Sequence, residues 1–391
     1  MREQIYLTFE TVTPLLLDGF HHPQSGQLRA SSVIGILRFW LRALCGHNYS
    51  AADGAVFGAR GIPSSVSLRM IRSNIPDKKP KFDDSVLYLA CGLQRHRTVP
   101  EGASFQMCFS LNGDEQIKRL LFCALRALTL FGGLGARRRR GFGAVKISSD
   151  SPTELLPSYN TPEAIAESIN SLIKEAETLS AQLNPNPSGD KKNLPSTSFA
   201  NEETEIYVSR NIYTSPMEAL AYAGGLLKNW RNYSHSRESR KDHDLVYEYA
   251  RTGEIDNVPL RAIFGMPHHY FLRNLGEGKQ ASVTFEPAAS NRRITRRASP
   301  LFISVVPLTD NRATLVFSLF RSQFMPRSVS IQVHGSIIKD KERTRLPFKI
   351  IGRHPSWLAL LTFTDHLISS GEFFPIRRLE KHFREKPSDG G

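Results

Sequence analysis

Gly133-Leu134-Gly135-Ala136-Arg137-Arg138-Arg139-Arg140-Gly141-Phe142-Gly143 sets four glycines and four consecutive arginines within eleven residues. That combination points to the capture of anions. Glycine lets main-chain N–H groups come close to a phosphate, and each guanidinium presents a fork of charge-assisted donors. Four adjacent cations repel one another unless an anion lies among them. A dinucleotide fingerprint asks for G-x-G-x-x-G between a strand and a helix, but Arg138 stands where the third glycine belongs. A P-loop asks for Gly-Lys followed by Ser or Thr, which is missing. An RNA-backbone cradle remains, with a solvated basic turn as the plain alternative. The regular spacing of the glycines speaks for a constrained backbone and therefore for the cradle.

Other cations are placed where they can add to such a site. Arg38 and Arg42 stand four apart beside Trp40, so both project from one helix face. They suit phosphates or ordinary salt bridges, while Trp40 suits a core better than a stacking platform. Arg95-His96-Arg97 precedes a turn. Between Lys228 and Lys241 the chain interleaves Trp230, Arg231, Tyr233, His235, Arg237 and Arg240. Aromatic faces with cations between them fit single-stranded RNA, since any base can stack, and a solvated loop is the competing reading. Arg292, Arg293, Arg296 and Arg297 form a further basic cluster. It fits the same groove or an acidic neighbouring subunit.

Catalytic and metal chemistry have thinner support. His21 and His22, beside Asp18, are the best candidates for an acid–base site, but no positioned partner accompanies them. His268-His269, and His235 with His243, come without the acidic or sulfur ligands that complete a metal site. No cofactor is called for. Cys45, Cys91, Cys108 and Cys123 contain no C-x-x-C pair and read as reduced thiols, Cys108 and Cys123 in apolar surroundings.

The elements that must position the loop follow from periodicity. Ile5 to Thr13 alternates as a strand that Pro14 ends, and Val33, Ile36, Leu37, Trp40, Leu41 and Leu44 have helical spacing up to Gly46. Strands are predicted at Ser65 to Ile71, Val86 to Ala90 and Phe105 to Leu111. A helix runs from Glu115 to Phe131 behind Asp114, and a last strand from Ala144 to Ile147. This order is the βαββαβ signature of an α+β, ferredoxin-like half. The loop joins its second helix to its last strand. Residues 151 to 202 read as an acidic helical insertion or linker, with a helix from Thr161 to about Leu183. The second half, 203 to 391, opens with a strand at Thr204 to Val208 and a capping box at Ser215-Pro216-Met217-Glu218 that starts a helix to Trp230. Later strands are predicted at Ser282 to Phe285, Leu301 to Val306, Thr314 to Phe320 and Val329 to Val333, with a helix near Ser356 to Ser370. The repeated strand-then-helix opening points to an internal duplication.

With 391 residues, two domains are expected, 1 to 150 and 203 to 391. A formal charge of +14 calls for a polyanionic partner. Residues 1 to 150 carry 20 basic and 11 acidic side chains, 151 to 202 carry 3 and 7, and 203 to 391 carry 28 and 19, so two basic halves flank an acidic bridge. No basic amphipathic helix with a broad apolar face invites a membrane, no apolar run is long enough to span one, and no signal peptide begins the chain. The protein is expected in the cytoplasm.

Gly133, Gly135, Gly141, Phe142 and Gly143 follow G-x-G, five residues including Arg or Lys, then G-h-G with h hydrophobic. This resembles the glycine-rich loop of the RAMP superfamily, which lies between the second helix and last strand of a ferredoxin-like domain. Thr13-Pro14-Leu15, the stretch Ser31 to Leu44, Phe57-Gly58, the stretch Pro100 to Phe105, and Arg297-Ala298-Ser299-Pro300-Leu301 are similar to the first-numbered RAMP subunit of the Cmr module. The likeness is dense over residues 5 to 147 and thin after 200. It implies two ferredoxin-like RAMP domains in a type III-B CRISPR effector, a ribonucleoprotein of antiviral defence. It further implies a non-catalytic subunit that holds the 3′ part of the guide RNA and the 5′ part of bound target RNA, with other Cmr-module RAMP subunits as partners. Its RNA-binding residues would be the loop, Arg38, Arg42, Arg296 and Arg297. The competing implication is a metal-independent RAMP endoribonuclease that processes CRISPR RNA.

Overall fold

The computed structural model describes residues 3–17, 26–77, 80–92, 97–149, 158–184, 194–232, 237–288, 294–340 and 342–378. The chain divides into two compact units. The first comprises Met1–Gly225, Phe302–Ser322 and Ser370–Gly391, and the second Leu226–Leu301 and Gln323–Ser369. Along the chain the elements are β1 (Glu3–Thr11), β2 (Leu15–Leu17), α1 (Ala30–Leu44), α2 (Tyr49–Phe57), β3 (Val66–Asn74), α3 (Asp84–Ala90), β4 (Arg97–Val99), β5 (Ser104–Leu111), α4 (Glu115–Phe131), β6 (Val145–Ser149) and α5 (Pro162–Leu183). They continue with β7 (Thr204–Ser209), α6 (Pro216–Trp230), α7 (Arg237–Thr252), β8 (His268–Leu272), β9 (Gln280–Pro287), β10 (Leu301–Pro307), β11 (Ala313–Phe320), β12 (Ile331–Lys339), β13 (Glu342–Arg345), β14 (Lys349–Ile351), α8 (Leu358–Ser369) and β15 (Phe373–Arg377).

In the first unit, β1, β3, β5 and β6 form an antiparallel sheet in the order β3-β5-β1-β6. With α1 after β1 and α4 after β5, that is the ferredoxin-like path, interrupted by α2, α3 and the short β2–β4 pair. A second sheet in the same unit has the order β10-β11-β7-β15. Along the chain its strands and the helices between them run β7, α6, β10, β11, α8, β15, with α8 and the end of α6 assigned to the second unit, so the same strand order occurs twice. The fold is α+β with two ferredoxin-like halves.

The helices form where their sequences start and stop them. Asp114 accepts a hydrogen bond from Ile117 N at 3.0 Å and begins α4. Gly132 ends it where a Cβ would lie 2.4 Å from Trp40 Nε1. Thr161 caps α5 through Ala164 N at 3.2 Å, with Pro162 at the first helical position. Ser215 caps α6 through Glu218 N at 3.2 Å, and Glu218 reaches back to Thr214 N at 2.9 Å. The apolar stripe of α1, from Val33 to Leu44, is buried as its spacing predicts. It shares one cluster with Phe9 and Phe109 of the first sheet, Ile165, Ile169 and Leu172 of α5, and Phe302 and Phe320 of the second sheet. Aromatic contacts bind this cluster, with Phe131–Phe199 centroids 4.7 Å apart and Phe302–Phe320 5.3 Å apart. The helix α5 is anchored by charge as well. Glu175 pairs with Arg119 at 2.7 Å and Arg126 at 3.0 Å, both on α4.

Val86 to Ala90 is a helix where a strand was expected. A five-residue apolar run does not by itself distinguish the two, and Asp83 decides it by accepting Val86 N at 2.8 Å.

The second unit holds α7 and a five-stranded antiparallel sheet, β13-β12-β9-β8 with β14 also on β12. One face of this sheet is buried through Tyr270, Leu272, Val283, Phe285, Ile331 and Val333. No helix among the described residues is long and apolar enough to cross a membrane.

Candidate nucleic-acid interface

The glycine loop leaves α4, returns to β6 and is laced to the segment just after β1. Leu134 N donates to Gly143 O at 2.8 Å, Gly143 N to Pro14 O at 2.9 Å, and Ala136 N to Leu16 O at 2.8 Å. Thr13 Oγ1 donates to Gly141 O at 2.7 Å and accepts from Ala144 N at 3.0 Å. Gly135 and Gly143 have φ of +75° and +66°, and a Cβ at Gly143 would stand 2.0 Å from Leu134 O. With Arg140 N donating to Arg137 O at 2.7 Å, four of the loop amides are spent inside the protein. Gly135 and Gly143 therefore allow the tight closure of the loop.

The four arginines, all half-buried, differ in what they touch. Arg137, itself at φ +56°, donates through Nη2 to Cys91 O, and Arg140 donates through Nη1 to Leu89 O at 3.4 Å. Both acceptors are carbonyls at the C-terminal end of α3, where the helix dipole favours cations. The Arg139 guanidinium lies over the rings of Phe302 at 4.5 Å and Phe39 at 5.9 Å, and its carbonyl accepts from Ile303 N at 3.0 Å. Arg138 lies over the Phe39 ring at 5.9 Å, and among the described residues no acceptor is hydrogen-bonded to its guanidinium. Burial draws its pKa below the ordinary arginine value, because desolvation penalises the charged form. A phosphate arriving here would offset that penalty.

The other residues singled out in the sequence are spread over the molecule. Arg38 clamps α1 to α2: its fork holds Asp53 at 2.9 and 3.0 Å, and Nη2 also donates to Gly58 O at 3.0 Å. Arg42 is exposed, with Nε donating to Arg38 O at 3.3 Å. Trp40 is a core residue, 1% exposed. Arg97 donates to Gly26 O at 3.1 Å. In the second unit Arg231 lies over Phe264 at 5.2 Å and Trp230 stacks on His366 at 5.4 Å, while Arg237, Arg240 and Lys241 are exposed on the helix α7 rather than in a loop. Arg296 is exposed. Arg297 pairs its backbone with Met266, donates to Gln323 O at 3.2 Å and lies over Phe324 at 5.6 Å. Asp18, His21, His22, Arg95, His96, Tyr233, His235, Arg292 and Arg293 lie outside the described residues.

Among the described residues no cluster of His, Cys, Asp and Glu is set to hold a metal. Cys45, Cys108 and Cys123 are buried free thiols, and burial pushes Cys45 and Cys123 up to about 12. Cys91, by contrast, is exposed.

Sequence reasoning missed a cleft of about 860 Å³ in the first unit. Its walls are the end of β1, the start of α6 at Ser215, and the β10–β11 turn, where Asp310 and Asn311 have φ of +62° and +60°. No loop arginine lines it, and its lining contains neither histidine nor cysteine. Nothing in the sequence flags it, since its walls come from seven separated segments.

Residues 8–146 match the model of the RAMP superfamily. The CRISPR system Cmr subunit Cmr1-1 of Pyrococcus furiosus is 25% identical over 322 residues, 77% of this chain and 82% of that protein. The crystal structure of Cmr1 from Pyrococcus furiosus in its apo form is similar in fold, with a TM-score of 0.51 and 20% identity over 96% of this chain and 99% of that one. A chain of the type III-B Cmr-beta complex, solved by cryo-electron microscopy bound to cognate target RNA, has a TM-score of 0.50 and 12% identity over 83% of this chain and 97% of that one.

Proposed function

We propose, from the match of residues 8–146 to the RAMP superfamily model and the likeness to Cmr1-1, that the chain is a non-catalytic, RNA-gripping subunit of a type III-B Cmr effector. It holds the 3′ part of the guide RNA and the 5′ part of bound target RNA, beside other Cmr-module subunits. The observation that carries this reading is Arg138. It is a half-buried guanidinium with no hydrogen-bonded acceptor among the described residues, flanked by three further arginines. Such a group is poorly solvated alone and well satisfied by a phosphate oxygen. Arg137, Arg139 and Arg140, held by α3 carbonyls and aromatic rings, keep the local potential positive without occupying Arg138. Arg42 and Arg296 are exposed and can add phosphate contacts. Arg38 is committed to Asp53, and Arg297 to Met266 and Gln323.

The test is photocrosslinking in the assembled particle, with 4-thiouridine placed along guide and target RNA. Crosslinked peptides spanning residues 133 to 143 are expected. Crosslinks confined to other segments would remove the loop from the mechanism.

A further inference from the structure

The second unit carries a sheet face whose side chains, among the described residues, are exposed or half-buried. Strand pairing fixes which side chains share it. Phe271 opposes Ser282, Ser282 opposes Ser336, and Ser336 opposes Arg345; two residues along, His269 opposes Thr284 and Thr284 opposes His334. Arg343 joins the same face opposite Ile338, and Ile350 joins it opposite Gln332. While Tyr270, Leu272, Val283, Phe285, Ile331 and Val333 of the opposite face are buried, Phe271 is 49% and Ile350 63% exposed. Phe348, 56% exposed, precedes β14 on the same alternation as Ile350.

We propose that this open face is a base-stacking platform for single-stranded RNA. Charge complementarity selects the partner. Arg343 and Arg345 are exposed cations, and among the described residues of the paired strands Glu286 is the one carboxylate on this face, already bonded to Gln332 at 2.6 Å and His334 at 3.2 Å. The apolar groups do not form the contiguous patch that a protein dock presents. They stand at β8 and β14, separated by the hydroxyls and amides of β9 and β12 across three strand spacings, about 14 Å. Rings on a pleated sheet, with hydrogen-bonding side chains between them and guanidiniums at one edge, are what unstacked bases and their phosphates require. This inference goes beyond the loop, sharing no residue with it, though it rests on the reading that the chain binds RNA.

The test measures binding of fluorescein-labelled oligouridylate to the full chain as wild type, F271A/F348A, R343A/R345A and R138Q. The substituted side chains are exposed on this face, or half-buried in the case of Arg138, so folding is checked by circular dichroism and melting. The aromatic double variant is expected to lose about tenfold in affinity for each ring, with the salt slope unchanged. The arginine double variant is expected to flatten the slope by about 1.4. Unchanged affinity in F271A/F348A overturns the platform, and if R138Q alone weakens binding the loop reading survives that loss. A variant that binds RNA normally but fails to join the particle makes the face a protein dock and overturns the proposal. A wild-type chain that binds no RNA overturns both readings.

Discussion

Gly143 and Arg138 show how differently neighbouring residues in one loop were legible. The glycine pattern was readable because a left-handed φ and a carbonyl 2.0 Å from a would-be Cβ leave no other residue possible. Gly143→Ala is expected to destabilise the protein by at least about 1–3 kcal/mol from backbone strain alone, with the clash against Leu134 O adding to it. Thermal unfolding checks this, and an unchanged melting temperature would mean the loop is not closed as described. The individual fates of the arginines were not readable. Whether a guanidinium meets an α3 carbonyl, a phenyl ring or nothing depends on α3 and on Phe302, which lies far along the chain. The same limit applies to Arg38, whose partner Asp53 sits on a helix the periodicity did not reveal.

Elements were legible wherever a cap and an apolar stripe agreed. Asp114, Thr161 and Ser215 each start the helix their type predicts. The helix α7 escaped because two of its buried positions, Ser239 and Asp242, are polar and break the apolar period that Val246, Tyr249 and Ala250 continue. Asp242 is tolerated there because Leu260 N and Arg261 N donate to its carboxylate at 2.6 and 2.8 Å. The helix α5, which the acidic composition of 151 to 202 set apart, is held on α4 by Glu175 between Arg119 and Arg126. Glu175→Leu leaves Arg126 charged and largely buried, and a loss of about 3 kcal/mol is expected. Adding Arg126→Met should recover much of that loss. A double variant no more stable than the single one would show that the ion pair is not what docks α5.

At the scale of the whole molecule, the twofold ferredoxin-like topology was legible from the order strand, helix, strands, helix, strand in the first half. In the second half long insertions separate α6 from β10 and β11 from α8. The strands of those insertions, β9 and β12, look in sequence like members of the repeat, yet pair with each other in a sheet of their own. Periodicity predicts a strand but not its neighbour, since register and partner are set by non-local packing. The excess of cations in both halves gives the molecule its expected behaviour toward polyanions.

The most direct measurement is the dependence of single-stranded RNA affinity on salt for the wild-type chain and for Arg138→Gln. Each phosphate contact contributes about 0.7 to the slope of log K against log salt. The wild-type slope should be steep, and Arg138→Gln should bind more weakly with a slope shallower by about that amount. Identical slopes and affinities for the two proteins would contradict the claim that this guanidinium holds the RNA backbone.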